Sequence, residues 1–225
     1  MTQLMSVRRI AVALRLMDSF TGQVPEGVRL SVTMADGAVP VRKADGYYIF
    51  WDNGARERTL TVRGNGYETE EIQLDMDQLS ARRQPTYCLW LKPGGSYAYP
   101  RDMELEERQV RPGAVEEFPL EGSAGCLHLK DAYPMDKLNP ALIRLMAPED
   151  MELENRRLYI EDMDGNGEYF TVWAAENRAM GLYRLMEPLK HIYGPYESRI
   201  LLTMALKADR KGRIFVPGGA IFLQD

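Results

Sequence analysis

The chain has 225 residues, 45% hydrophobic and 27% charged, the composition of an ordinary globular protein, which argues against disorder and against a membrane protein. A formal charge of −5 and an isoelectric point near 5.3 leave no basic field for a phosphate backbone. Lysine and arginine are spread along the chain, so nucleic acid is excluded as an expected partner. No segment approaches the roughly 20 apolar residues that a membrane span requires.

At the N-terminus, Arg8 and Arg9 precede the apolar run Ile10 to Leu14, as in a signal peptide, but Arg15 cuts the run short and no small-residue cleavage site follows. A cytoplasmic location is therefore expected. Cys88 and Cys126 are the only cysteines, far apart and outside any CxxC or Cys/His pattern. Two buried free thiols in a reducing compartment fit this spacing, with a single bridge as the alternative.

Ile10, Val12, Leu14 and Leu16 alternate with Arg9, Ala11, Ala13 and Arg15, the period-two pattern of a strand with one face buried. Asp18-Ser19-Phe20-Thr21-Gly22 breaks that pattern, and Val28, Leu30, Val32 and Met34 resume it. Turn residues at Ala35-Asp36-Gly37 and Asp45-Gly46 lead to the aromatic run Tyr47 to Trp51. Further strands are expected at Thr59 to Arg63, Glu71 to Leu74 and Tyr87 to Leu91, with one or two helical turns at Met76 to Arg83. Short runs about ten residues apart, with no helix of useful length between them, predict a seven-stranded-type β-sandwich over residues 1–93.

Three of these stretches carry a resemblance: Asp18-Ser19-Phe20-Thr21-Gly22, Ala44-Asp45-Gly46-Tyr47-Tyr48-Ile49-Phe50, and Leu60-Thr61-Val62 leading to Gly66-Tyr67-Glu68. Together, residues 7–92 resemble the carboxypeptidase regulatory-like (transthyretin-like) domain. The resemblance implies a folding, interaction or display unit with no active site of its own. Such modules are attached to bacterial surface, secretion and phage-tail-like contractile assemblies. Leu91-Lys92-Pro93 and Tyr97-Ala98-Tyr99-Pro100 are similar to sandwich modules of the last group.

Residues 94–125 are rich in Gly, Pro and Glu and read as an extended connector, in which Glu104 to Val110 can add a strand. Over residues 126–225, runs at Leu142 to Leu145, Leu158 to Ile160, Tyr169 to Trp173, Leu182 to Leu185, Ile200 to Leu206, Ile214 to Val216 and Ala220 to Leu223 predict a second β-sandwich or small barrel. The fold class is thus all-β. Pro148 to Arg157, acidic at its start and basic at its end, is the one helix expected there. Lys43-Ala44-Asp45-Gly46 and Lys207-Ala208-Asp209 with Gly212, each before a strand, echo one another through duplication or shared turn chemistry.

Asp162-Met163-Asp164-Gly165-Asn166-Gly167 has oxygen ligands at the first, third and fifth positions of a calcium loop and Gly at the sixth, so Asp162, Asp164 and Asn166 are candidate ligands. The twelfth position is Trp173 rather than an acid. A hairpin turn is accordingly the favoured reading, and no other cofactor is expected.

His128 and His191 sit in contexts that need no catalytic role. Neighbouring acids such as Glu70-Glu71, Glu106-Glu107 and Glu116-Glu117 point to opposite faces of a strand and read as surface. Tyr48 and Trp51, with Tyr193 and Tyr196, are the candidate binding patch, since flat rings give large contact area at low entropic cost. The expected function is a non-enzymatic protein-interaction or assembly module whose partners are other proteins, subunits of a larger complex; the alternative is a carbohydrate-binding module using exposed rings.

Overall fold

The computed structural model describes residues 9–82, 85–99, 104–120, 127–148, 151–218 and 220. The protein is all-β and sandwich-type, and it divides into two compact units, residues 1–97 and 98–225. Among the described residues no helix is long and apolar enough to cross a membrane.

Among its described residues, the first unit has seven strands in two sheets. One sheet has the order β3 (Val41–Arg42), β4 (Tyr47–Trp51), β1 (Ile10–Asp18), β7 (Thr86–Leu91). The other has the order β2 (Leu30–Met34), β5 (Glu57–Gly64), β6 (Glu70–Asp75). Strand β1 runs parallel to β7 and antiparallel to β4. Alternation works as expected along β1 and β5, where Val12, Leu14, Leu16, Leu60 and Val62 enter the core. Ile10 does not join them: the β1–β4 register shifts between Ile10 and Val12, and Ile10 is left exposed. The expected helical turns form α1 (Met76–Ala81), whose first N–H groups, at Asp77 and Gln78, donate to the Asp75 carboxylate at 2.9 and 3.0 Å.

One buried acid ties this unit together. Asp18, at the end of β1, accepts the N–H groups of Phe20 and Thr21 on Oδ1 and the hydroxyls of Tyr67 and Tyr97, both at 2.6 Å, on Oδ2. The segments Asp18 to Gly22 and Gly66 to Glu68 thus meet at a single carboxylate. A buried carboxylate without such partners would be too costly to retain.

Among its described residues, the second unit has an antiparallel sheet of seven strands. Their order is β10 (His128–Leu129), β11 (Leu142–Met146), β14 (Leu182–Leu185), β13 (Gly167–Asn177), β12 (Arg157–Asp162), β15 (Ser198–Lys207), β9 (Val115–Leu120). A separate two-stranded ladder joins β16 (Arg213–Pro217) to β8 (Leu105–Gln109). Of the two architectures expected here, a closed barrel is not formed among the described residues. The core is built from Tyr133, Ile143, Leu145, Leu158, Ile160, Phe170, Val172 and Tyr193 with their neighbours.

Within residues 94–125, read as an extended connector, the strand expected over Glu104 to Val110 forms as β8, paired with β16, and the segment also contributes β9, which the sequence reading did not expect and which pairs with β15. The helix expected at Pro148 to Arg157 is absent among its described residues. Met151 N–H turns back onto the Pro148 carbonyl, and the buried Glu152 carboxylate takes the N–H groups of Leu153 and Glu154. Asn155 then adopts φ +57° and β12 begins at Arg157.

The two units have different strand orders, so their echo at Lys43 and Lys207 reflects turn chemistry: Gly46 N–H donates to Lys43, and Gly212 N–H to Asp209. A closer repetition lies inside the second unit. Leu142-Ile143-Arg144-Leu145-Met146-Ala147-Pro148 and Leu182-Tyr183-Arg184-Leu185-Met186-Glu187-Pro188 share five positions, and their strands pair with each other around Ile143 and Tyr183. The bonds at its ends match, Leu145 N–H to Gly181 at 2.8 Å and Leu185 N–H to Ala141 at 2.7 Å.

Candidate functional site

Three loops meet at one end of the second unit's sheet: the β12–β13 turn, the segment from Met186 to Glu197, and the segment from Asp131 to Ala141. The first two join where Met163 N–H donates to the Glu197 carbonyl, beside the Asp162–Ser198 pair. The last two join where Tyr133 and Tyr193 exchange backbone hydrogen bonds of 2.8 and 3.1 Å.

Polar contacts tie the loops to the sheet and to one another. The Tyr133 hydroxyl donates to the Pro140 carbonyl at 2.5 Å and accepts Leu189 N–H at 2.8 Å. Glu168, at the start of β13, accepts the N–H groups of Lys190 and His191 and the Tyr193 hydroxyl, all on Oε1 at 2.9–3.1 Å. Burial, and then the Glu168 carboxylate, push the Tyr193 hydroxyl well above the ordinary tyrosine range. The neutral hydroxyl therefore remains a donor at any physiological pH.

Above this framework the loops expose large apolar side chains. Leu138 is 95% exposed, Met163 83%, Ile192 78% and Tyr196 96%. Bulky apolar side chains so exposed on loops at one end of a sheet are candidate contact residues. The flanking exposed residues are mainly acidic: Asp136, Asp164, Glu187 and Glu197, against Lys137 and Lys190.

The residues picked from sequence are distributed unevenly around this end. Tyr196 stands at it, fully presented. Tyr193 is buried with its hydroxyl on Glu168, so it supports the loops and offers no ring face. In the first unit, Tyr48 is a core residue beneath β4, because Tyr48, Ile49 and Phe50 are all buried where alternation predicts one exposed face. Trp51, 38% exposed, is the ring of that strand that reaches solvent. The four aromatics therefore do not present four faces to a ligand.

Asp162 to Gly167 forms the β12–β13 hairpin turn, with Gly165 at φ +85°. Asp162 Oδ1 accepts Asp164 N–H at 3.0 Å and Asn166 N–H at 2.8 Å, and Oδ2 accepts the Asn166 side-chain amide at 2.8 Å. The Asn166 side chain leads the groups that hold the Asp162 carboxyl below its ordinary range, joined by these backbone N–H groups and by His191. Both Asp162 oxygens thus accept hydrogen bonds within the turn. His128 lies half-buried in β10 and His191 is exposed against the Tyr193 ring edge. Cys88 is buried, and Cys126 lies outside the described residues.

Leu138, Met163 and Ile192 escaped the sequence reading as contact residues. The available signal is a large apolar side chain set among turn-formers, as in Asp136-Lys137-Leu138-Asn139-Pro140 and Asp162-Met163-Asp164. No protein-family model and no curated protein sequence matches the chain.

Proposed function

We propose that the protein is a non-enzymatic interaction module that docks onto another protein subunit through the loop end of its second unit. The observation that carries this reading is the set Leu138, Met163, Ile192 and Tyr196, each exposed on loops at one end of the sheet that Tyr133, Glu168 and Tyr193 tie down. Ordered loops lose little conformational freedom on docking, and bulky apolar and aromatic anchors supply most of the affinity of a protein interface. The family resemblance of residues 7–92 and the absence of a transmembrane helix among the described residues fit an accessory part of a larger cytoplasmic assembly, of the bacterial secretion or phage-tail-like kind.

Replacing Leu138, Met163, Ile192 and Tyr196 by Ser together tests the reading. The circular dichroism spectrum and thermal midpoint are expected to hold, since no buried contact is removed, while the native complex in cells of origin shrinks to the free chain on sedimentation. A complex of unchanged size contradicts the proposal. A glycan array checks the carbohydrate alternative, for which Tyr196 is the best-placed ring; no signal is expected.

A further inference from the structure

Three arginines from three separate segments of the first unit line one surface groove of about 800 Å³: Arg9 ahead of β1, Arg56 ahead of β5, and Arg82 at the end of α1. Hydrogen bonds hold their segments there. The Arg9 carbonyl accepts Asp52 N–H at 2.9 Å, the Arg56 carbonyl accepts Met76 N–H at 2.8 Å, and Arg82 Nη1 donates to the Thr86 carbonyl at 3.0 Å. Arg58, two residues beyond Arg56, closes on Asp36 at 2.9 Å. Neither Arg9 nor Arg56 has a carboxylate partner of this kind among the described residues, although both are exposed to the groove.

We propose that this groove binds an acidic, apolar peptide segment of a partner protein. Guanidinium groups pair with carboxylates through two parallel hydrogen bonds, which supplies the polar half of the recognition. Ile10, Ala11 and Met76 line the same groove and supply an apolar floor for a neighbouring side chain. Asp52 and Asp77 also line it, and their charge opposes a compact dianion more than an extended segment that spreads its charge along the groove. The groove belongs to the first unit and does not depend on the loop end of the second, so either reading survives the loss of the other.

The test is an amide-shift titration of the full chain with three probes: N-acetyl-Leu-Asp-Leu-amide, its Asn analogue, and inorganic phosphate. The Asp peptide is expected to shift the Gly54, Ala55 and Ser80 amides saturably and to weaken in about 0.5 M salt, where exposed charges are screened. The Asn peptide and phosphate are expected to leave them in place. R9Q/R56Q lowers the affinity for the Asp peptide about tenfold or more, whereas R108Q, in the second unit, does not. Equal binding of the Asn peptide, binding of phosphate alone, no saturable shift, or indifference to R9Q/R56Q would each overturn the proposal.

Discussion

Asp18 illustrates what a single buried charge does in this fold. Its carboxylate is nearly inaccessible and is met by two hydroxyls and two N–H groups, so removing one donor leaves an acceptor in a dry site rather than returning it to water. Tyr67→Phe is expected to cost about 1.5–3 kcal/mol, the scale of a hydrogen bond to a charged group, read as a lower denaturant midpoint at constant m-value. An unchanged midpoint would show that the bond contributes nothing. Burial first, and then Asp18, raise the Tyr67 hydroxyl well above its ordinary range, while burial pushes Tyr169 up to about 12. Because these folded-state values exceed the unfolded one, their contribution is fully present below about pH 10 and is lost as pH rises through the folded values. Tyrosinate absorbance should therefore show a group of the twelve tyrosines ionising late, with stability falling above about pH 10. Titration of all tyrosines in one step near pH 10 would refute this.

At the scale of elements, the period-two runs were legible because a strand with one wet face writes its burial directly into residue order, as in Val12-Ala13-Leu14 and Leu60-Thr61-Val62. The failures have local causes. Tyr47 to Trp51 loses its alternation because both faces of β4 are covered at Ile49 and Phe50. Glu152 stops a helix by giving its carboxylate to its own neighbours' N–H groups and to Arg178 at 2.7 Å, a contact 26 positions away that no local pattern announces. The pairing of β11 with β14, by contrast, is visible once the shared Leu-x-Arg-Leu-Met-x-Pro pattern is noticed. The β12–β13 turn carries its own prediction. Gly165→Ala, at φ +85° with open space around a new Cβ, should cost about 1–2 kcal/mol through backbone strain alone. Millimolar calcium should produce neither heat nor a thermal shift, since Asp162 already satisfies the turn; a saturable heat would restore the metal reading.

On the scale of the whole molecule, the two β units differ in topology. The first unit is organised around the Asp18 bonds, and the second exposes bulky apolar side chains on loops that its core holds still. Sequence could locate the loops by their Asp, Gly and Pro content, but it could not reveal that Met163, Ile192 and Tyr196 share one end. That depends on the Met163–Glu197 and Glu168–His191 contacts. Under the proposed function, this end is where the protein meets another subunit. A photocrosslinking residue placed at Tyr196 in the cells of origin, beside the same residue placed at exposed Glu57, probes that contact. A discrete covalent adduct is expected from position 196 and none from position 57; no adduct at 196, or equal adducts at both, would overturn the proposal.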